Sequence, residues 1–287
     1  MAVTVEAGPG GMLITRGAAV EVAFRVRGDG PAVVLLHGTS ANHAVWEPVV
    51  DRLQPGARVI SLDQRGHGRS GKPASGYRGP DFAGDVVVVL DALGIDRALV
   101  AGHSLGARNA WLTGALFPER VAGVLAVDYT PWVEPSMLDD LLVRVEAGNR
   151  SFDTVDDVRR YLQQRYRMLP ADAVDRRARW GYRRDGEGRL APLADPAAMR
   201  QLIDGLREPW DAEFVSVAAP MSHVRGALSR ITTDSAWNAA VAARPHDRWV
   251  VDRSADHYVP EENATLVASE IEHLLSLDSE GPHGTLR

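Results

Sequence analysis

The feature that most constrains this chain is a five-residue turn, Gly102-His103-Ser104-Leu105-Gly106, between an apolar strand and a helix. The run ALVAG leads into it and the helical stretch ARNAWL follows it. The glycines are needed because the turn is so tight that side chains at their positions would collide with neighbouring backbone. The turn therefore predicts a strand-turn-helix unit that lifts the Ser104 hydroxyl clear of a sheet, where it can act as a nucleophile.

The rest of the chain alternates β-branched apolar runs with helical patterns, which predicts a mostly parallel sheet with helices on both faces. AVVLLHG and VAGVLAVD are apolar throughout, as is typical of central strands. GMLITRG and AAVEVAF alternate more and predict an antiparallel edge pair. Between residues 131 and 217 amphipathic helical stretches replace the strand signal. We expect an α/β core over 1–130 and 218–275, an inserted helical cap over 131–217, and a disordered tail over 276–287.

Composition excludes several classes of function. The chain has 287 residues and no cysteine, so it can form neither disulfides nor thiolate sites. A formal charge of -6 disfavours nucleic acid and anionic membrane surfaces, which leaves a small molecule as the expected partner. No spacing such as H-x-x-x-H indicates a metal and no G-x-G-x-x-G indicates a dinucleotide, so we expect no cofactor. Without a signal peptide or a membrane-spanning run we expect a cytoplasmic protein, and a homodimer stays open.

A second motif, HGTS, ends the strand AVVLL. Gly38 allows the chain to turn there and to present the backbone N–H of Thr39. Together with the N–H of Leu105, this group is positioned to form an oxyanion hole. Such donors meet the charge that develops on a carbonyl oxygen, and each is typically worth roughly 100-fold to 1000-fold in rate.

Four motifs taken in order, HGTS, DQRGHGRSG, GHSLG and ADHYV, make the chain resemble the α/β-hydrolase superfamily. In G-x-S-x-G enzymes of this fold the nucleophile comes first in the chain, the acid next and the histidine last. The resemblance implies that His257, in ADHYV after the strand RWVVD, is the base for Ser104. A serine needs such a base within hydrogen-bond reach, and the base needs a third group to orient it.

The sequence does not identify the third group, the acid that orients His257, by a motif. Most superfamily members place the acid in a segment like GALSD, but this chain reads GALSR with Arg230 at that place. Three acids remain open: Asp128 at the end of VAGVLAVD, Asp234 a little beyond Arg230, and Asp256 beside the histidine. We prefer Asp128, because it ends a buried strand at the edge where the serine lies, whereas Asp234 stands where a helix begins. The alternative role of Asp128 is to fix the start of the cap.

Within the superfamily the chain resembles the (E)-2-(acetamidomethylene)succinate hydrolases, through RVEAG, RYRMLPADA and RARWGY in the cap. That family hydrolyses an enamide amide bond without a metal and carries its acid on the strand after the elbow. The resemblance implies that four cap residues hold substrate carboxylates by paired N–H donors. These residues are Arg144, Arg165, Tyr166 and Arg177. Solvated helix faces carry a similar balance of charges, so an ordinary surface role stays open for each of them.

Together these features predict a serine hydrolase that cleaves an amide or ester bond through an acyl-enzyme on Ser104. Two alternatives stay open. A C–C bond hydrolase, or a cofactor-free lyase or oxygenase, would use His257 to take a substrate proton. A ligand receptor would keep the pocket without turnover. Replacing Ser104 by alanine distinguishes the serine hydrolase from the first of these alternatives, because only the acyl mechanism needs the hydroxyl.

Overall fold

A nine-stranded sheet organises the molecule, in a computed structural model that describes residues 3–53 and 56–279. Its strands are β1 (Thr4–Ala7), β2 (Leu13–Arg16), β3 (Ala23–Arg27), β4 (Ala32–Leu36), β5 (Arg58–Asp63), β6 (Ala98–His103), β7 (Val121–Val127), β10 (Met221–Gly226) and β11 (Arg248–Asp252). A separate hairpin consists of β8 (Tyr182–Arg184) and β9 (Leu190–Pro192).

The strand order is β1-β2-β3-β5-β4-β6-β7-β10-β11. From β5 to β11 all neighbours run parallel, and the pairs β1–β2, β2–β3 and β3–β5 are antiparallel. The predicted antiparallel pair corresponds to β2 and β3, but β3 begins at Ala23 and shares only two residues, Ala23 and Phe24, with the predicted run AAVEVAF. The edge itself is β1, which the prediction did not include, because four residues beside a Gly/Pro-rich turn show too little alternation to be recognised.

Helices cover both faces of this sheet. They are α1 (Glu47–Val50), α2 (Gly79–Ala92), α3 (Leu105–Leu116), α4 (Pro135–Gly148), α5 (Val155–Arg165), α6 (Ala171–Trp180), α7 (Pro196–Leu206), α8 (Asp211–Ser216), α9 (Asp234–Ala243), α10 (Val259–Glu262) and α11 (Ala264–Ser279). Successive residues of β4 point to opposite faces, so that Val34 joins the core beneath α2 and α3 while Leu35 joins the core beneath α1 and α11. Within the described ranges, no helix is both long and apolar enough to cross a membrane.

The cap lies in the chain between β7 and β10 and consists of α4 to α8 with the β8–β9 hairpin. The sequence predicted no strand in this region, and the hairpin corrects that prediction. Its turn was recognised as RRDGEGR, but strands of three residues are too short to show a two-residue period. Phe152 extends the hairpin by a backbone pairing with Leu190 and belongs to a small apolar cluster inside the cap.

Helix α11 runs to Ser279, so residues 276–279 of the predicted disordered tail are helical instead. The hydroxyls of Ser276 and Ser279 donate to backbone carbonyls three residues earlier, so these serines are accommodated within the helix. The rest of the predicted tail, residues 280–287, lies outside the described residues.

Candidate active site

Two neighbouring parallel strands bring Ser104 and Asp128 to the same edge of the sheet. His103, the last residue of β6, is in register with Val127, the last residue of β7. The N–H of Ser104 donates to the Val127 carbonyl at 2.8 Å, and the N–H of Asp128 donates to the Val224 carbonyl at 2.8 Å. Ser104 and Asp128 therefore each come directly after the carboxyl end of a buried strand. Open α/β sheets bind their ligands at this edge.

The backbone at this edge is strained. Three non-glycine residues of the described chain have a positive φ: Ser40 (60°), Ser104 (56°) and Asp128 (52°). Such conformations cost of order 1–3 kcal/mol each and cluster at functional sites. Glycine is required on either side of the serine, because a Cβ at Gly102 would lie 1.9 Å from the Gly106 carbonyl oxygen. The strain is thus imposed by close packing of the turn.

His257 contacts Asp128 directly. Its Nδ1 lies 2.6 Å from Oδ2 of Asp128, whose side chain is completely buried. The carboxylate also accepts hydrogen bonds from the Ser229 hydroxyl at 2.5 Å and from the Gly226 N–H at 3.2 Å. Three donors therefore surround the carboxylate, which holds it in a fixed orientation toward the imidazole ring.

The two other candidate acids lie elsewhere. The Asp234 side chain is 89% exposed at the start of α9 and pairs with Arg225 at 2.7 Å. The backbone N–H of Asp256 donates to Glu262 at 2.6 Å, which fixes the loop before the histidine. The structure therefore brings Asp128 to His257, and it leaves Asp234 on the surface.

Burial dominates the ionisation of the His257–Asp128 pair. It lowers the pKa of His257 to about 3, and the charges of Arg144 and Arg177 add to this shift. Burial also raises the pKa of Asp128, opposed by its hydrogen bonds from Ser229 and Gly226. A neutral imidazole is the form that can accept a proton from a serine hydroxyl.

The two predicted oxyanion donors lie beside the serine. Leu105 is the first residue of α3, and a Cβ at Gly38 would lie 3.2 Å from Cβ of Ser104, so the loop before Thr39 packs against the nucleophile. Among the described residues, neither the Thr39 N–H nor the Leu105 N–H donates to a backbone or side-chain acceptor. Both donors are thus available to a substrate oxygen.

Ser104 and His257 line one cavity, called here the nucleophile cavity. Its polar and glycine residues are Gly38, Thr39, His103, Ser104, Arg144, Arg177, His257 and Tyr258. Its apolar residues and its one further tyrosine are Ala41, Tyr129, Val133, Met137, Leu138, Leu141, Leu206 and Ile231. Arg144 and Arg177 both lower the pKa of His257 and so lie near it, which gives the cavity a cationic wall at the histidine, while most of the remaining lining forms an apolar wall.

All four predicted cap residues line cavities at this site. Arg144 lines the nucleophile cavity and a wider outer cavity, which also reaches His257, Arg165 and Tyr166. The Arg144 guanidinium donates to the Tyr258 hydroxyl at 3.2 Å. Arg165 donates to the Tyr166 hydroxyl at 3.1 Å. Within the described ranges, no carboxylate lies within ion-pair distance of Arg144 or Arg165, so no protein carboxylate neutralises their charges, although Arg165 already donates to the Tyr161 and Tyr166 hydroxyls and to the Arg144 carbonyl.

Arg177 differs from the other two arginines. It is buried and forms a two-pronged ion pair with the buried carboxylate of Glu261, through Nε at 3.1 Å and through Nη2. Its guanidinium also stacks between the rings of Tyr166 and Tyr258, at 4.7 and 4.9 Å from their centres. Burial alone lowers the pKa of Arg177, but the Glu261 carboxylate outweighs this effect and holds it above its ordinary value. The pair joins the cap to α10, the short helix that follows the loop with the histidine.

Three residues of the site escaped the sequence analysis: Ser229, Tyr258 and Glu261. Ser229 stands in GALSR, next to the arginine that replaces the expected acid, and it donates to Asp128 from there. That departure from the usual motif is the signal that could have pointed to it. Glu261 gave no signal, because its partner Arg177 is 84 residues away in the chain.

Comparison with known proteins assigns the family. A family model described as alpha/beta hydrolase fold matches residues 31–264. The chain is an α/β-hydrolase. It is 39% identical over 256 residues to 2-(acetamidomethylene)succinate hydrolase of Mesorhizobium japonicum, covering 89% of this chain and 92% of the relative. This α/β-hydrolase also superposes on a crystal structure of E-2-(acetamidomethylene)succinate hydrolase with a TM-score of 0.86 at 36% identity, over 96% and 99% of the two chains.

A more distant structure shares the fold. The enol-lactonase from Burkholderia xenovorans gives a TM-score of 0.71 at 19% identity, over 95% of this chain and 99% of that one. The comparisons confirm the predicted superfamily, its fold and the closer resemblance. Hydrolysis is therefore the reaction class of this α/β-hydrolase, while the bond and the nucleophile stay predictions.

Proposed function

We propose that this α/β-hydrolase cleaves an amide or ester bond of a small carboxylate-bearing substrate through an acyl-enzyme on Ser104. The observation that carries the proposal is the 2.6 Å contact between His257 Nδ1 and the buried carboxylate of Asp128, in a cavity that the strained Ser104 also lines. A nucleophile, a base and an orienting acid on three separate chain segments meet there, which is the arrangement that serine catalysis needs.

The reaction follows from these positions. The Ser104 oxygen attacks the substrate carbonyl carbon while Nε2 of His257 takes the hydroxyl proton. Asp128 holds Nδ1–H and stabilises the imidazolium that forms. The tetrahedral intermediate collapses when His257 returns the proton to the leaving nitrogen or oxygen, which breaks the scissile bond. Water, activated by the same histidine, then releases the acid and restores Ser104.

The backbone N–H groups of Thr39 and Leu105 stabilise the oxyanion in this scheme. They cost no reorganisation, because the strained turn and the HGTS loop already hold them beside the serine. The interaction strengthens as negative charge develops on the carbonyl oxygen, so it favours the transition state over the bound substrate.

The two walls of the nucleophile cavity assign the two halves of the substrate. His257 must protonate the leaving group, so the leaving group lies on the cationic wall, near Arg144 and the outer cavity. The acyl group then lies against the apolar wall formed by residues such as Val133, Leu138 and Leu206. An uncharged acyl group on a carboxylate-bearing amine fits both walls. Two relatives are named for (acetamidomethylene)succinate, a name that combines an acetamido group, which contains an uncharged acyl group, with a succinate, which is a dicarboxylate.

The charge assignment predicts the behaviour of an Arg144→Met variant. A charge-assisted hydrogen bond is worth about 1.5–3 kcal/mol, so we expect KM for (E)-2-(acetamidomethylene)succinate to rise roughly 10- to 100-fold. Hydrolysis of the neutral ester p-nitrophenyl acetate should change less than about threefold, because that substrate has no carboxylate to bind. Steady-state kinetics with both substrates measures the difference.

An Arg160→Met variant is the matched control. Arg160 is exposed on α5 and pairs with Asp157 on the same helix, so the same substitution there should leave both substrates unaffected. An equal loss for the neutral ester and the dicarboxylate in Arg144→Met would contradict the proposed role, because it would point to a general disturbance of the cavity.

A further inference from the structure

A second cavity, called here the polar chamber, adjoins the nucleophile cavity and shares Ala41 and Arg177 with it. It lies among the cap, the β8–β9 hairpin and the loop that follows β4. Its polar lining side chains are Ser40, Asn42, Asn149, Tyr161, Arg165, Tyr166, Arg177 and Tyr182. No aspartate or glutamate is among its described lining residues. The chamber is therefore cationic and rich in hydrogen-bond donors.

Asn42 presents one of these donors. Its side chain is only 4% exposed, and its Oδ1 accepts from the Ala44 N–H at 3.0 Å, which caps the short 3-10 helix His43–Trp46. That bond fixes the orientation of the amide, so the other end is the NH2 group. Nδ2 donates to no acceptor in the part of the chain that the structure describes, and it lies 3.7 Å from where a Cβ at Gly181 would be. Gly181 also lines the chamber, so the amide NH2 lies on the chamber side.

Arg177, in α6, presents a second donor. Its side chain is 8% exposed, and Nε and Nη2 are both taken up by Glu261. Stacking between Tyr166 and Tyr258 fixes the plane of the guanidinium. Nη1 has no partner within the described ranges. Glu261 thus acts as a positioning residue: it fixes the Arg177 guanidinium and leaves the N–H groups of Nη1 without an acceptor among the described residues.

Tyrosine hydroxyls complete the lining. The hydroxyls of Tyr161 and Tyr166 both accept hydrogen bonds from Arg165, at 3.0 and 3.1 Å. A phenol that accepts from a guanidinium keeps its own O–H free to donate. Within the described ranges, neither Asn42 Nδ2 nor Arg177 Nη1 is sealed away from solvent, so both N–H groups and the phenol O–H groups are accessible to an acceptor with several lone pairs in the chamber.

We propose that Asn42, which lies outside the cap, is a further specificity-determining residue and that its NH2 group donates to a carboxylate of the leaving group in the polar chamber. The inference rests on the proposed function, because it requires a leaving group that extends from Ser104 past Arg177. A carboxylate accepts several hydrogen bonds and matches the charge of the chamber. Arg144 in the outer cavity then holds one carboxylate of a dicarboxylate substrate, and the chamber holds the other.

Two variants of Asn42 test the proposal while keeping the helix cap. Asn42→Ser retains a capping oxygen and loses the NH2 donor, and Asn42→Asp retains the oxygen and adds a negative charge. Each is combined with Ser104→Ala, and the dissociation constant of (E)-2-(acetamidomethylene)succinate is measured by calorimetry. We expect Asn42→Ser to weaken binding about tenfold and Asn42→Asp to weaken it more, because repulsion replaces attraction. Gln163→Glu, which adds the same charge on the exposed face of α5, should leave the dissociation constant unchanged.

A parallel measurement separates this inference from the proposed function. With Ser104 intact, the ratio of kcat/KM for the dicarboxylate to kcat/KM for p-nitrophenyl acetate should fall about tenfold in both Asn42 variants, whereas Gln163→Glu should leave both values unchanged. Unchanged dicarboxylate binding in both variants would overturn the chamber assignment and leave the acyl mechanism standing. Failure of the wild type to hydrolyse any ester or amide would overturn the proposed function, and the binding measurement on the Ser104→Ala background would still decide the role of Asn42.

Discussion

A Ser104→Ala enzyme is expected to lose roughly 10⁴- to 10⁶-fold in kcat for an amide substrate, which is the scale on which removing the serine of a catalytic triad acts. The loss is large because no neighbouring group can replace the hydroxyl as the atom that forms the acyl-enzyme. Binding should survive, since the cavity walls, the arginines and the oxyanion donors remain in place. Single-turnover kinetics with (E)-2-(acetamidomethylene)succinate measures the chemical step directly.

A matched serine provides the control. Ser254 lies in the loop before His257, but its hydroxyl donates to Asp252 instead of lining the cavity, so Ser254→Ala should keep nearly full activity. A Ser104→Ala enzyme that keeps activity while His257→Ala loses it would contradict the acyl mechanism. That outcome would favour proton abstraction from the substrate by His257, as in the C–C hydrolases and lyases that the sequence left open.

An Asp128→Asn enzyme is expected to lose roughly 10⁴-fold in kcat, the loss seen when the acid of a serine triad becomes an amide. The carboxylate accepts a hydrogen bond from His257 Nδ1–H, and an amide NH2 facing Nδ1 would select the wrong tautomer of the ring. An amide also cannot stabilise the imidazolium that forms during attack. The measurement is kcat at a fixed pH near neutrality, with circular dichroism to verify folding.

Asp234→Asn is the control for this prediction. The Asp234 side chain is 89% exposed and pairs with Arg225, so its loss should change kcat by less than about twofold. If Asp234→Asn lost more activity than Asp128→Asn, the assignment of the acid would be wrong, and Asp128 would have only its alternative role of fixing the start of the cap.

The geometry of the elbow could be predicted from sequence because it is local. Gly102, Ser104 and Gly106 are adjacent in the chain, and the strain that they support depends on backbone packing within a few residues. The position of Asp128 was also within reach, because a residue at the end of a buried parallel strand lies at the sheet edge that carries Ser104, whereas Asp234 stands in the polar first turn of a helix. Both features depend only on the neighbouring sequence.

Contacts between distant segments could not be predicted in this way. The sequence offers many arginines in the cap, and nothing in it distinguishes Arg177, which Glu261 neutralises, from Arg144, which has no acidic partner in the described chain. Asn42 likewise looks like an ordinary helix cap until the chamber that receives its NH2 group is seen. Substrate recognition depends on which side chains remain unpaired, and pairing is a property of the folded chain.

The most direct test of the account is the intact mass of the protein after treatment with a fluorophosphonate, with the labelled peptide mapped. We predict rapid addition of one phosphonyl group on Ser104, and strongly slowed addition in Asp128→Asn at the same pH. Absence of labelling on well-folded wild-type protein, or labelling on a serine other than Ser104, would contradict the claim that Ser104 is the activated nucleophile.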